Sequence, residues 1–256
     1  MTVRIIILFV LIAPSVTKAI EGSTFALVVN GINRDPEDRL SKEHTVQSLR
    51  QYLLTAVKVD PARLAVLDGN DASAPNMAKA MSVCASSVSP RDRFVFYYCG
   101  QANMVLDKLR LNLVGEDVTH EELARWLAGI RAGRQLIVLD CPCAGSAAQV
   151  LGGPGRVIVC AATQEQVYST RFGAHFVPAL ARPESDMDGD GRVSVLEAFT
   201  AAAREIERWY RDREILPTET PCLEDNGDGL PSERPWRHTV EPVDGLAAST
   251  FIPADN

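Results

Sequence analysis

The chain has 256 residues, with 33 Asp and Glu against 26 Lys and Arg and a formal net charge of −7 near neutral pH. That balance offers no electrostatic footprint for a polyanion, so nucleic-acid binding is set aside as a function. With 46% hydrophobic residues the chain can bury a substantial core, and its length fits one large domain.

Residues 1–19 read as a secretory signal peptide: Arg4, an apolar run from Ile5 to Ile12, then small residues with Thr17 and Ala19 placed for cleavage. The run is followed by Pro14 and is too short for a comfortable span, which disfavours an uncleaved anchor. The mature protein is therefore expected to be exported (periplasmic or extracellular), acidic and without membrane contact. Residues 20–182 are expected to form an α/β domain. Residues 183–213 should add a calcium loop and exit helix packed on it, and residues 214–256 an acidic, partly irregular tail.

Short apolar runs predict buried strands at Phe25–Val29, Leu64–Leu67, Arg93–Tyr98, Leu136–Asp140 and Arg156–Ala162. Between them, 3.6-residue periodicity predicts helices over Lys42–Val57, Met77–Val88, Thr119–Ile130, Ser146–Leu151 and Phe172–Leu180, with a capping box at Thr119 and Glu122. Leu106–Val114 reads as a hairpin or an irregular excursion. This alternation predicts a mostly parallel sheet covered by helices on both faces. In such sheets chemistry gathers at the carboxyl ends of the strands. Here those ends are Asn30-Gly31, Cys99-Gly100-Gln101-Ala102 and Asp140-Cys141-Pro142-Cys143. No Walker motif, no Gly-x-Gly-x-x-Gly and no Cys-x-x-Cys is present, so nucleotide and zinc-ribbon readings have no support.

Asp186 to Glu197 carries the complete calcium-loop pattern of an EF-hand. Asp186, Asp188 and Asp190 occupy positions one, three and five, where alternate residues of a tight loop point inward. Gly191 at six allows the turn. Arg192 at seven contributes its carbonyl, Ser194 at nine acts through a water, and Glu197 at twelve closes the shell with both oxygens. A hard cation wants six to eight oxygens at about 2.4 Å, and this spacing supplies them. The expected cofactor is Ca²⁺. Pro183 should end the entering helix early, so the hand is expected to have only its exit helix. Glu224, Asn226 and Asp228 repeat the alternation further on. Position twelve there is Pro235, so a plain acidic turn is the favoured reading.

Two strand ends, Phe96-Tyr97-Tyr98-Cys99-Gly100-Gln101-Ala102 and Ile137-Val138-Leu139-Asp140-Cys141-Pro142-Cys143-Ala144-Gly145-Ser146, resemble those of the caspase-like and legumain-like cysteine peptidases. In that family the first end carries a Gly-His-Gly turn with the catalytic base, and the second an Asp-x-Cys-x-Ser-Gly segment with the nucleophile. A subset of exported bacterial relatives resembles this chain in its calcium loop, its Glu197-Ala198-Phe199 and its Asp225 to Gly229. The resemblance implies a caspase-like three-layer sandwich. It also places Gln101 at the base position and Pro142 at the nucleophile position, and neither side chain can do that chemistry. A shifted alignment would offer Cys143 as a fallback nucleophile, still without a base. His44, His120, His175 and His238 are expected to lie away from the strand ends. Cys99, Cys141 and Cys143 gather where the dyad would stand, so a disulfide from Cys99 to Cys141 or Cys143 is expected.

Three functions are in play. The first is an exported, calcium-binding, catalytically silent member that binds a protein or peptide partner. The others are a cysteine endopeptidase using Cys143 and a thiol–disulfide redox protein.

Overall fold

The structure is a computed structural model that describes residues 22–237 and 244–251. The expected signal peptide lies outside the described residues. No helix among the described residues is long and apolar enough to cross a membrane.

The chain begins with β1 (Thr24–Asn30), α1 (Pro36–Thr55), β2 (Leu64–Leu67), α2 (Ala74–Ser87) and β3 (Arg93–Cys99). An excursion follows: β4 (Ala102–Val105), β5 (Lys108–Leu111) and β6 (Val118–Thr119). Next come α3 (His120–Gly129), β7 (Arg134–Asp140), α4 (Ala148–Leu151), β8 (Arg156–Cys160) and α5 (Phe172–Ala179). The chain continues through α6 (Val195–Arg211), β9 (Cys222–Glu224) and α7 (Leu246–Ser249).

The main sheet has strand order β2-β1-β3-β7-β8-β9. Every pairing is parallel except β8 with β9. The excursion that the sequence left open is a separate antiparallel sheet, β4-β5-β6. The central strands read as unbroken apolar runs because both faces are covered. Their alternate residues enter two cores. Ala26, Val28, Val95, Tyr97, Leu136 and Val138 pack with α1, α5 and α6. Leu27, Val29, Phe94, Phe96, Ile137 and Leu139 pack with α2, α3 and the excursion.

α6 belongs to this domain: Ala198, Phe199, Ala202 and Ile206 are buried in the first core. The acidic tail is more ordered than its composition implies. Leu223 is fully buried in β9, and Trp236 packs its ring 6.2 Å from that of Phe199. Burial of these apolar side chains offsets the entropy of ordering a Pro- and Gly-rich segment.

Candidate functional site

The parallel register aligns three strand ends at one sheet edge. Asn30 stands opposite Cys99, and Cys99 opposite Asp140. The turn after β3 is held by its backbone. The Gln101 amide donates to the Ile32 carbonyl at 2.8 Å, and its own carbonyl accepts from the Asn112 amide at 3.0 Å and the Tyr98 hydroxyl at 2.6 Å. Gly31 is required here, since a Cβ would stand 2.4 Å from the Tyr98 hydroxyl oxygen. These bonds fix where Gln101 leaves the strand, at the position where the resemblance expects a base.

Behind the edge lies a buried polar cluster. Asp140 is fully buried, and its Oδ1 sits 2.8 Å from Lys42 Nζ. The Thr170 hydroxyl donates to the same oxygen at 2.7 Å, and the Tyr97 hydroxyl donates to Oδ2 at 3.1 Å. Lys42 also donates to Thr170 Oγ1 at 3.0 Å. Burial alone would lower the lysine pKa, but the Asp140 carboxylate overcomes this and raises it. Lys42 is therefore held charged, and both Asp140 oxygens are occupied, by Lys42 and Thr170 on one and Tyr97 on the other. Sequence reasoning missed Lys42, Thr170 and Tyr97. One signal was available: Lys42 lies one turn before Val46 and Leu49 on the buried stripe of α1.

Cys99, Cys141 and Cys143 all lie in the interior of this edge. All six cysteines are free thiols, so the expected disulfide from Cys99 to Cys141 or Cys143 is not formed. Cys99 is instead engaged with Asn30 Oδ1 at 3.5 Å. Cys143 is turned away from an extended path by its left-handed backbone, φ 56°, with its amide bonded to the Gln166 carbonyl at 2.9 Å. The thiols that the strands do bring face to face are Cys160 and Cys222, paired across β8 and β9. Sequence gave no sign of that pairing because β9 lies in the segment expected to be irregular.

Burial raises the pKa of Cys99 and, with Asp140 adding to it, that of Cys141. Burial, then Glu165, raises that of Cys143. All three are held as thiols, the opposite of an activated nucleophile. Pro142 between them is buried and carries no reactive atom. The described histidines are committed elsewhere. His120 Nδ1 accepts from the Leu109 amide at 3.3 Å, His175 Nδ1 is 2.8 Å from Glu205 Oε2, and His44 is exposed on α1. Among the described residues no hydrogen bond joins a histidine to a cysteine. His238 lies outside them.

The second candidate site is the loop before α6. It is entered from a single 3₁₀ turn, Pro183–Ser185, as Pro183 implied. Asp186, Asp188 and Asp190 bring ligand oxygens within 4.8 Å of one another. Asp186 accepts from the amides of Gly189 at 2.7 Å and Gly191 at 2.9 Å. Asp188 accepts from the Asp190 amide, and Asp190 from the Arg192 amide. Gly189 and Gly191 have φ 75° and 84°, which only glycine adopts without strain. Ser194 caps α6 and forms a capping box with Glu197. Glu197 Oε1 accepts from the Met187 amide at 2.7 Å, and Oε2 from the Ser194 amide and hydroxyl at 2.8 Å. Three carboxylates thus lie close together, and Glu197 closes the loop by bonding its second and ninth positions. Such an all-oxygen set suits a hard divalent cation such as calcium, with Arg192 and Ser194 at the carbonyl and water positions.

No family model matches the sequence, and no curated protein is detectably similar to it. The fold does have relatives. A mostly parallel sheet with helices on both faces, carrying a polar edge at the strand ends, is the architecture of the caspase-like proteins. Among solved structures, caspase-1 from Spodoptera frugiperda superposes with a TM-score of 0.54 at 10% identity, covering 80% of this chain and 87% of that one. The chain therefore has a caspase-like fold.

Proposed function

We propose that this chain is an exported, calcium-binding, caspase-like protein that does not cleave peptides and acts by holding a protein or peptide partner. The observation that carries the reading is the strand edge. By the sequence resemblance Gln101 and Pro142 take the base and thiol positions, and the buried Asp140 at this edge is paired with Lys42 at 2.8 Å. Glutamine only exchanges hydrogen bonds, and proline offers no nucleophile. Cys143, the nearest alternative, is 1% exposed, and burial followed by Glu165 keeps it protonated. Calcium binding is supported by the clustered carboxylates of Asp186, Asp188 and Asp190, with Glu197 bonded to the loop's second position, and export by the N-terminal apolar run.

The test is digestion of a peptide library by the full chain in millimolar calcium, with Cys143→Ala as control. No calcium-dependent cleavage is expected from either. Cleavage that disappears in Cys143→Ala overturns the reading in favour of a peptidase with a shifted nucleophile.

A further inference from the structure

The segment after β9 repeats three of the turn bonds of the Asp186 to Glu197 loop. Gly227 donates its amide to Glu224 Oε1, as Gly189 does to Asp186. Asp228 donates to Asn226 Oδ1 at 2.8 Å, as Asp190 does to Asp188. Leu230 donates to Asp228 Oδ1 at 2.7 Å, as Arg192 does to Asp190. Gly227 and Gly229 have φ 86° and 76°, matching Gly189 and Gly191. Positions one to seven of a cation loop are thus present at Glu224 to Leu230.

The sequence denies this loop its closing glutamate, because position twelve is Pro235. The tertiary structure supplies a carboxylate from elsewhere. Asp244 Oδ1 accepts from the Asp225 amide at 3.0 Å, and its Oδ2 accepts from the Ser232 amide at 3.1 Å and hydroxyl at 2.6 Å. In the first loop Glu197 makes the same three bonds, to Met187 at position two and to Ser194 at position nine. Asp244, 2% exposed, therefore stands where Glu197 stands.

A separate observation points to a ligand. Glu224 is completely buried, and its Oε2 has no hydrogen-bond partner. Gly152 roofs that oxygen so closely that a Cβ there would lie 2.8 Å from it. The carboxylates of Asp244 and Asp228 lie close enough to Glu224 to act on it electrostatically. A buried carboxylate oxygen with no donor is costly, and repulsion from two neighbouring acids adds to the cost. A cation among them removes both penalties.

We infer that Glu224, Asn226, Asp228 and Asp244 form a second calcium site, with the Leu230 carbonyl at position seven and Ser232 at position nine. Its donors are all hard oxygens, as calcium requires. It has three carboxylates where the first loop has four, so its affinity is the lower of the two. Asp225 points away from the cation and accepts from the amides of Gly245 at 2.8 Å and Ala248 at 2.7 Å, tying the loop to α7. The Phe251 carbonyl just beyond α7 accepts from the Val195 amide at 2.9 Å, at the start of α6. The second loop is thus tied to α7, and the chain just beyond α7 to the start of α6, where the first loop ends.

Calorimetric titration of the metal-free full chain with calcium chloride tests this, with magnesium chloride as control. The wild type is expected to bind two calcium ions. Asp228→Ala, at an exposed position bonded only within the loop, should bind one. Asp244→Asn should also bind one, and Asp228→Ala with Glu197→Gln should bind none. Equal calcium uptake by wild type and Asp228→Ala overturns the second site. A single calcium lost in Glu197→Gln and kept in Asp228→Ala does the same while leaving the first loop standing. A single calcium lost only in Asp228→Ala overturns the first loop and keeps this site. Circular dichroism confirms folding, and Asn226→Ala, also exposed, replaces any variant that fails it.

Discussion

Lys42 and Asp140, 98 positions apart in sequence, form an ion pair at 2.8 Å with side chains 5% and 0% exposed. A pair this deep adds little net stability over a well-packed apolar pair, but breaking it strands a buried charge. Lys42→Met is expected to cost about 3–5 kcal/mol in urea unfolding, and adding Asp140→Asn should recover part of the loss. A cost below about 1 kcal/mol for the single change would show that water reaches Asp140.

Gly173 supports the same cluster by having no side chain. A Cβ there would lie 2.2 Å from the Tyr97 hydroxyl oxygen and 2.3 Å from Asp140 Oδ2. Gly173→Ala should destabilise by at least about 1–3 kcal/mol, the usual cost of overpacking, despite the better helix propensity of alanine. Thermal unfolding reads this directly, and an unchanged melting temperature would contradict the geometry.

Glu219 sets a pH dependence. It is 1% exposed, and burial lifts its pKa from the ordinary 4.5 to about 7, against the pull of Arg171 at 2.8 Å. Because the folded pKa is the higher, the folded state binds the proton more tightly. This group's contribution is most favourable below about pH 4.5, falls as pH rises through about 7 and is constant above. The span is on the order of 3 kcal/mol. Urea midpoints measured between pH 5 and 8 should decline with pH, and Glu219→Gln should flatten that decline by one proton.

The six thiols should behave as buried groups shielded from reagents. Native protein at neutral pH is expected to react slowly with iodoacetamide at every cysteine, and all six should react after unfolding. Rapid, selective labelling of Cys143 in the native state would mean an activating group near it.

Calcium should stabilise the fold, since the ligands converge only in the folded chain. At a concentration one hundred times the dissociation constant, one site contributes about 2.7 kcal/mol. With affinity on the order of 10⁻⁴ M, millimolar calcium should raise the melting temperature, and Glu197→Gln should remove the first loop's share. A melting curve unmoved by millimolar calcium would defeat the proposal for both loops.

The central strands were legible in the sequence because doubly covered parallel strands must be continuously apolar, as in Phe94 to Tyr98 and Leu136 to Leu139. The turns of the candidate cation loop, Asp186 to Glu197, were legible because its carboxylates fall within twelve residues and its geometry is local. The proposed loss of the dyad rests on residue identity alone, because Gln101 and Pro142 lack the needed atoms whatever their surroundings.

Other features depended on chain segments that meet only after folding. Lys42, Thr170 and Asp140 converge from α1, the approach to α5 and the end of β7, so no spacing announces them. The surroundings of the cysteines were not legible, because strand register and side-chain direction set them: Cys99 bonds Asn30, and Cys160 stands opposite Cys222. β9 was hidden because three residues carry too little pattern to outweigh the Pro and Gly around them. The second loop shows the division most clearly. Sequence set positions one to seven, Glu224 to Leu230, through local turns. The carboxylate that closes it, Asp244, comes from beyond the twelve-residue window, and only packing of the segment around α7 brings it to Ser232.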